Sequence, residues 1–245
     1  MSVKRIVEYR VLSIAYRKKA AYLSLLFFIL GSLLSTAYAT PCYGTKMPKK
    51  NKFFMGLQDY TLLKRYQEEF LGTMRSVQNF LLLSYGVVDW FAIDFKGGAG
   101  DIRQHPTGET EIDYEFNFAG GYGFRMRLIE KKKFKWVWGF QHISVHPHSA
   151  RVGFIRHRAI LDDWQVSTLA SYDFGLVAPY IGTRWSRVDY IHRIEDIRKR
   201  VMSDAHKSYG LIVGFDVPVS EKVWVNLEGQ FFDSDAFAVS INYSF

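Results

Sequence analysis

The chain has 245 residues, a formal net charge of +8 and an aromatic content of 17%. Residues 1–39 hold six basic side chains and one acidic one, so their removal takes away five of the eight positive charges and leaves +3. The basic balance therefore does not support nucleic-acid binding. A single cysteine, Cys42, excludes an intrachain disulfide.

The N-terminal segment 1–39 predicts a cleaved signal peptide. Basic residues up to Lys19 precede an uncharged apolar stretch over 20–34, and Ala37-Tyr38-Ala39 supplies a small-x-small cleavage pattern. An uncleaved membrane anchor is the alternative, because residues 20–39 carry no charge. Residues 40–51 are then interpreted as a periplasmic linker and residues 52–245 as the folded domain.

The folded domain alternates between apolar and polar side chains, which is typical of β-strands with one apolar face. The C-terminal run from Phe237 to Phe245 and the longer run over 112–128 show it most clearly, the latter with Ile112, Tyr114, Phe116 and Phe118 on one face. The pattern predicts about ten antiparallel strands. Their predicted ranges are 52–58, 77–86, 90–98, 112–129, 133–145, 162–173, 177–190, 207–217, 222–232 and 237–245.

The predicted connections alternate between short turns and longer loops, which is the sidedness of outer-membrane barrels. Charges fall at mid-strand on the polar face, as at Glu228 and Arg184, while large aromatic residues crowd the other face. We therefore expect the apolar face to point outward, into lipid, in an all-β, closed, antiparallel up-and-down transmembrane β-barrel. A soluble exported β-sandwich is the alternative, since it has the same alternation with the apolar face inside.

The ending Phe237–Phe245 resembles the β-signal of bacterial outer-membrane proteins. The segments 84–90 and 217–222 look like the turns of small porin-like barrels. This resemblance implies a place in the bacterial outer membrane with both termini periplasmic. It also implies that the barrel assembly machinery reads Phe237–Phe245.

The first functional hypothesis is a non-enzymatic barrel with a structural, surface-interaction or minor small-solute transport role. Neither a cofactor motif nor a nucleotide motif is found in the sequence, so no cofactor is expected. Inward positions of mixed sign predict a charge network in the bore. Its predicted members are Asp94, Glu115, Arg125, Arg127, Lys135, Arg184 and Glu228.

The second hypothesis is a membrane-facing lipid hydrolase. His142 and Ser144 continue the outward phase of strand 133–145, and Asp162 shares the outward phase of the next strand. A serine nucleophile needs a base within hydrogen-bond reach and a group that orients the base. The His-x-Ser element resembles that of outer-membrane phospholipase A and of lipid A deacylase, whose active sites face the membrane. Here Val145 and His146 follow the element, whereas an Asn and a small residue are common in those families.

Two predicted extracellular loops are basic and predict contact with lipopolysaccharide or another anionic glycan. The residues expected to make this contact are Arg156, Arg158, Arg198, Lys199 and Arg200. A solvated charged loop is the alternative. The spacing of His142, His146 and His148 also leaves open a shared metal, although no metal site is predicted, because neither a cysteine nor a carboxylate motif supports it.

Overall fold

The computed structural model describes residues 44–68, 72–195, 197–203 and 205–245. The predicted signal peptide and residues 40–43 lie outside them. The described residues form one twelve-stranded antiparallel sheet and a short 3-10 helix, Ala205–Lys207. The strands are β1 (Phe53–Tyr66), β2 (Thr73–Val88), β3 (Phe91–His105), β4 (Ile112–Lys131), β5 (Phe134–Val145), β6 (Ala150–Val152), β7 (Ile155–Tyr172), β8 (Ala178–Ile194), β9 (Ile197–Met202), β10 (Tyr209–Pro218), β11 (Val223–Phe231) and β12 (Ser234–Ser244).

Ten of the twelve described strands close into a barrel. Strand β1 pairs with both β2 and β12, and β7 pairs with both β5 and β8, so the ladder returns to its start. Strands β6 and β9 only extend the sheet beside β7 and β8. The predicted closed antiparallel barrel of about ten strands is confirmed. Among the described residues, no helix is long and apolar enough to cross a membrane.

The two ends of the barrel differ. At the terminus end, the Phe245 amide donates to the Phe53 carbonyl oxygen at 3.1 Å, and the two rings stack with centroids 4.4 Å apart. The opposite end, called the loop end below, carries β6 and β9.

The barrel wall is apolar outside and polar inside. Leu57, Phe118 and Ile241 are between 51% and 64% exposed, whereas Glu228 and Asn242 are at most 3% exposed. Hydrocarbon offers no hydrogen-bond partners, so a sheet that faces it must close on itself and turn its polar side chains inward. This confirms the predicted orientation and contradicts the soluble sandwich.

The predicted outward face of strand 112–129 is wrong at its loop end. Ile112 and Tyr114 are buried in the bore, although the alternation placed them outside with Phe118. The register between β3 and β4 shifts between Gly100 and Ile102. Such a β-bulge exchanges the two faces of a strand, because side chains alternate with a period of two.

The bore is filled in two layers. Toward the terminus end, residues 44–48 lie against polar inward side chains: the carbonyl oxygen of Lys46 accepts from Arg125 at 2.9 Å, and Thr45 Oγ1 donates to Ser171 at 2.6 Å. Toward the loop end, an apolar cluster fills the bore. Its members include Tyr60, Leu62, Met74, Phe80, Ile102, Tyr114, Ile143, Leu161, Val188 and Tyr190.

Aromatic residues mark where the wall leaves the apolar band. Tyr122, Trp164 and Trp185 lie on the outer wall, and on β8 the outward positions beyond Trp185 are Arg187 and Asp189. Aromatic girdles sit at the membrane interfaces of such barrels, and a spanning strand needs only about 9–11 residues. Strands β7 and β8 have 18 and 17 residues, so their loop-end parts, 155–161 and 189–194, extend beyond the hydrocarbon core of the bilayer.

Candidate functional site

Ser144 and Asp162 are direct cross-strand partners on the outer wall. Ser144 lies near the end of β5, and Asp162 lies on the neighbouring antiparallel strand β7. One step toward the terminus end on the same face, His142 lies opposite Trp164. Because residues two apart on a strand point to the same side, His142 and Ser144 share the outward face. The structure thus brings the three predicted residues together at the level of the aromatic girdle.

The hydroxyl of Ser144 is held between a carboxylate and an imidazole. Ser144 Oγ lies 2.5 Å from Asp162 Oδ1 and 2.8 Å from His146 Nε2. The ionised carboxylate of Asp162 can only accept, so the single hydroxyl hydrogen of Ser144 is donated to Asp162 Oδ1, and Ser144 Oγ accepts from His146 Nε2–H. These contacts give Ser144 the immediate neighbours that a nucleophile requires.

His142 contacts Ser144 only through Asp162. Its Nε2 lies 3.7 Å from Asp162 Oδ1 and has no hydrogen-bond partner among the described residues. Its ring packs on Trp164 with centroids 4.0 Å apart. The side chains of His142 and Asp162 are 15% and 24% exposed, so the site is open at the wall surface and partly shielded.

His146 is the site residue that the sequence interpretation missed as a base. It follows the last residue of β5, where strand alternation no longer fixes a direction. Its amide donates to the Phe118 carbonyl oxygen at 2.8 Å, which extends the β4–β5 pairing and turns the ring toward Ser144. The spacing Ser144-x-His146 was the available signal, whereas the sequence interpretation gave His146 only as a departure from the His-x-Ser element and as a neighbour of His142 and His148.

Ser144 has a glycine and an aromatic residue on one side and charged residues on the other. Gly120 lies directly opposite Ser144 on β4, and a Cβ there would come within 3.0 Å of the Phe118 ring. On the other side, Asp162 lies opposite Asp189, whose carboxylate is held by Arg187 and Arg200. The site therefore lies where apolar wall gives way to charge.

The predicted bore network is only partly reproduced. Arg125 forms a bidentate pair with Asp94, at 2.9 Å for both contacts. Glu228 is buried and accepts from Tyr180 at 2.8 Å, and Arg184 binds Asp233, a residue outside the prediction. The remaining predicted members differ: Arg127 and Lys135 share Glu130 near the terminus end, and Glu115 is exposed beside the β4 bulge.

The predicted anion-contact residues lie on two faces of the loop end. Arg158 and Arg198 face outward, each directly opposite Arg193 on β8, and Arg156 and Arg200 share that face. Lys199 lies opposite His192, whose buried side chain points into the barrel. The four predicted arginines therefore lie on the outer face of the loop end, and Lys199 lies on its inner face.

Among the described residues, no group of three or more His, Cys, Asp or Glu is placed to hold a metal ion. His142 and His146 instead flank the Ser144–Asp162 pair.

No protein-family model and no curated protein matches the chain. Among solved structures, it is similar to the translocator domain of the autotransporter NalP from Neisseria meningitidis (10% identity, 94% of this chain and 98% of that one, TM-score 0.43). It is also similar to the attachment invasion locus protein Ail of Yersinia pestis (6%, 81% and 100%, 0.42) and to the outer membrane protease OmpT from Escherichia coli (9%, 79% and 95%, 0.39). At these identities the likeness concerns the fold alone. The closed wall with its apolar outside is itself the architecture of an outer-membrane barrel.

Proposed function

We propose that the chain is an outer-membrane acyl hydrolase that cleaves lipid esters at the outer surface of its wall. The single observation that carries the proposal is the contact of Ser144 Oγ with both His146 Nε2 and Asp162 Oδ1 on the lipid-facing side. Polar side chains on a lipid-facing wall are costly near the bilayer, so a cluster of four is a reason to expect chemistry there.

In the proposed reaction, His146 takes the tautomer with its proton on Nδ1, and the Ser144 hydroxyl turns its hydrogen from Asp162 to His146 Nε2. Ser144 Oγ then attacks the ester carbonyl carbon while that hydrogen passes to Nε2 as a proton. The tetrahedral intermediate collapses, and the leaving alkoxide takes the proton from His146. Water then hydrolyses the acyl-serine by the same route. The Asp162 carboxylate stabilises the positive charge that develops on the imidazole, and His142, beside the same carboxylate, is a positioning residue for Asp162.

The position of the site supports a lipid substrate. Tyr122, Trp164 and Phe140 lie on the terminus-end side of Ser144, so acyl chains would run down the aromatic wall. With both chain termini in the periplasm, as the sequence resemblance implies, the loop end reaches the outer leaflet. The substrate ester would then lie at the boundary between acyl chains and headgroups.

The test is acyl release from phospholipid and from lipid A by the barrel refolded in detergent. We expect turnover by the native chain and a loss of at least about 1,000-fold in Ser144→Ala. Thr183→Ala, which removes an outward hydroxyl elsewhere on the wall, is the matched control and should retain activity. Equal release by the native chain and Ser144→Ala, or no release by either, would contradict the proposal.

A non-enzymatic surface-interaction barrel is the second candidate. The exposed arginines of the loop end favour it, since they present a basic surface without any need for turnover. The filled bore weighs against solute transport, because the apolar cluster occupies its loop half. Absence of hydrolysis together with salt-sensitive binding of anionic glycan would favour this candidate.

A further inference from the structure

A basic hollow opens on the outer wall directly beside Ser144, on its loop-end side. Its volume is about 490 Å³, and its polar lining comprises Arg156, Arg158, Arg193, His146, His148 and Asn117. Ile160 and Ile191 provide an apolar part of the lining. His146 borders both this hollow and the Ser144 hydroxyl, so the two sites are adjacent and share this residue.

Two arginines of the basic hollow and a third arginine beside it face one another across neighbouring strands, despite their mutual repulsion. Arg158 lies directly opposite Arg193, and Arg193 lies directly opposite Arg198 on the next strand. Like charges that face each other across strands destabilise a sheet. In the part of the chain that the structure describes, none of these three forms an ion pair with an acidic side chain, whereas the neighbouring Arg187 and Arg200 both bind Asp189.

A bound anion would relieve this repulsion. Arginine forks match the oxygens of phosphate, and converging guanidinium groups offer several charge-assisted hydrogen bonds at once. Arg156 Nε also donates to Ser149 Oγ at 3.2 Å, which holds its side chain toward the loop 146–149 that borders the hollow. The aromatic girdle lies below the hollow, so the arginines stand at the level of lipid headgroups.

We infer that the basic hollow binds the phosphate group of a lipid headgroup and presents that lipid to the Ser144 site. Arg158 lies four residues from Asp162 toward the loop end of β7, which separates their Cα atoms by about 13 Å along the strand. The assignment of the cleaved ester rests on the proposed hydrolase, but phosphate binding requires neither Ser144 nor turnover.

The experiment measures binding in the Ser144→Ala background, so that cleavage cannot remove the probe. The barrel, in a neutral detergent at low salt, is titrated with lipid A, with dilauroyl phosphatidic acid and with dilauroyl glycerol as a phosphate-free probe. We expect saturable binding of at least one phosphorylated probe and none of the glycerol lipid. Binding should weaken as salt increases.

The double variant Arg158→Gln/Arg193→Gln should lower the affinity for the phosphorylated probe at least tenfold. It should leave the melting temperature equal or higher, because it removes a repulsive pair. The matched control, Lys131→Gln/Lys133→Gln, removes the same charge from the exposed terminus end and should change neither value.

The outcomes separate the possible lipids and the two proposals. Binding of both phosphorylated probes assigns a phosphate subsite, and binding of lipid A alone assigns a subsite for a phosphorylated glycan. Equal affinity in the double variant and the control, or equal binding of the phosphate-free lipid, overturns the inference. Binding without hydrolysis by the native chain leaves the basic hollow in place and removes only the hydrolase.

Discussion

The bore and the outer wall both contain charged and polar side chains, but they use them differently. In the bore, Asp233 Oδ2 accepts from Arg65 at 2.9 Å and from Arg184 at 2.6 Å, and all three side chains are at most 1% exposed. Asp233 lies in the turn between β11 and β12, and its carboxylate links Arg65 of β1 to Arg184 of β8, two strands that are not paired with each other. On the outer wall, the Ser144 cluster joins only neighbouring strands that backbone pairing already holds. The inner charges therefore stabilise the fold, whereas the outer ones are available for chemistry.

The largest effect on stability is expected from Asp233→Ala. This change leaves two buried arginines without their shared carboxylate, which costs about 3–5 kcal/mol in the free energy of unfolding. Urea unfolding followed by heat-modifiable gel mobility measures it. Asp235→Ala, at a half-buried position of β12, is the control. If Asp233→Ala unfolded at the same urea concentration as the native chain, the structural role of the bore charges would be wrong.

On the outer wall, His146→Ala is expected to lower activity while leaving stability nearly unchanged. Loss of the base in contact with Ser144 should lower hydrolysis at least a hundredfold, while the free energy of unfolding changes by less than about 1 kcal/mol. His142→Ala should have a smaller effect, because its Nε2 reaches only Asp162. His105→Ala, at an exposed position outside both the site and the basic hollow, is the control. A larger loss in His142→Ala than in His146→Ala would assign the base to His142, as the sequence alone suggested.

The sequence could predict the positions that strand alternation determines, but not those that a bulge or a loop determines. Side chains alternate between apolar and polar because one face of each strand contacts lipid and the other faces the bore. The runs around Ile241 and Phe118 therefore indicated the outward face correctly. The alternation predicted the wrong face for Tyr114, because a β-bulge changes the face of a strand at one point and has no periodic signal in the sequence. The longer β7 was also missed, although Gly153, with φ +63°, marks the turn between β6 and β7. His146 lies past the strand end, where its orientation depends on the loop rather than on alternation.

Met47→Asp tests whether residues 44–48 contribute to the filled bore. Met47 is 8% exposed and packs with Ala92 and Val137, so a carboxylate there should expel the segment at a cost of about 2 kcal/mol. We expect cleavage of the segment by added protease while the barrel remains folded. Ion conductance in planar bilayers should stay low, because the apolar cluster of the loop half is unaffected. Large steady openings would show that the segment alone closes the bore.

The smallest expected effect is a pH dependence of the loop end. His192 lies in the projecting part of β8, where its Nε2 is 3.0 Å from His157 Nδ1. Lys199 lies opposite it, and the rings of Tyr190 and Tyr114 are in contact with it. Burial, followed by the charges of His157 and Lys199, lowers the pKa of His192 from 6.5 to about 4.

Because the folded chain disfavours the protonated form, the unfolded chain binds more protons between these two values. The neutral side chain therefore supports the fold fully above pH 6.5, and that contribution falls as the pH decreases toward 4. Solvent screening at the projecting loop end limits the loss to about 1 kcal/mol. Hydrogen exchange of β8 and β9 amides, corrected for intrinsic rates, should show weaker protection at pH 5 than at pH 7. His192→Gln should abolish the difference, whereas His105→Gln, at an exposed position, should retain it. Equal protection at both pH values in the native chain would mean that His192 is not held neutral by its burial.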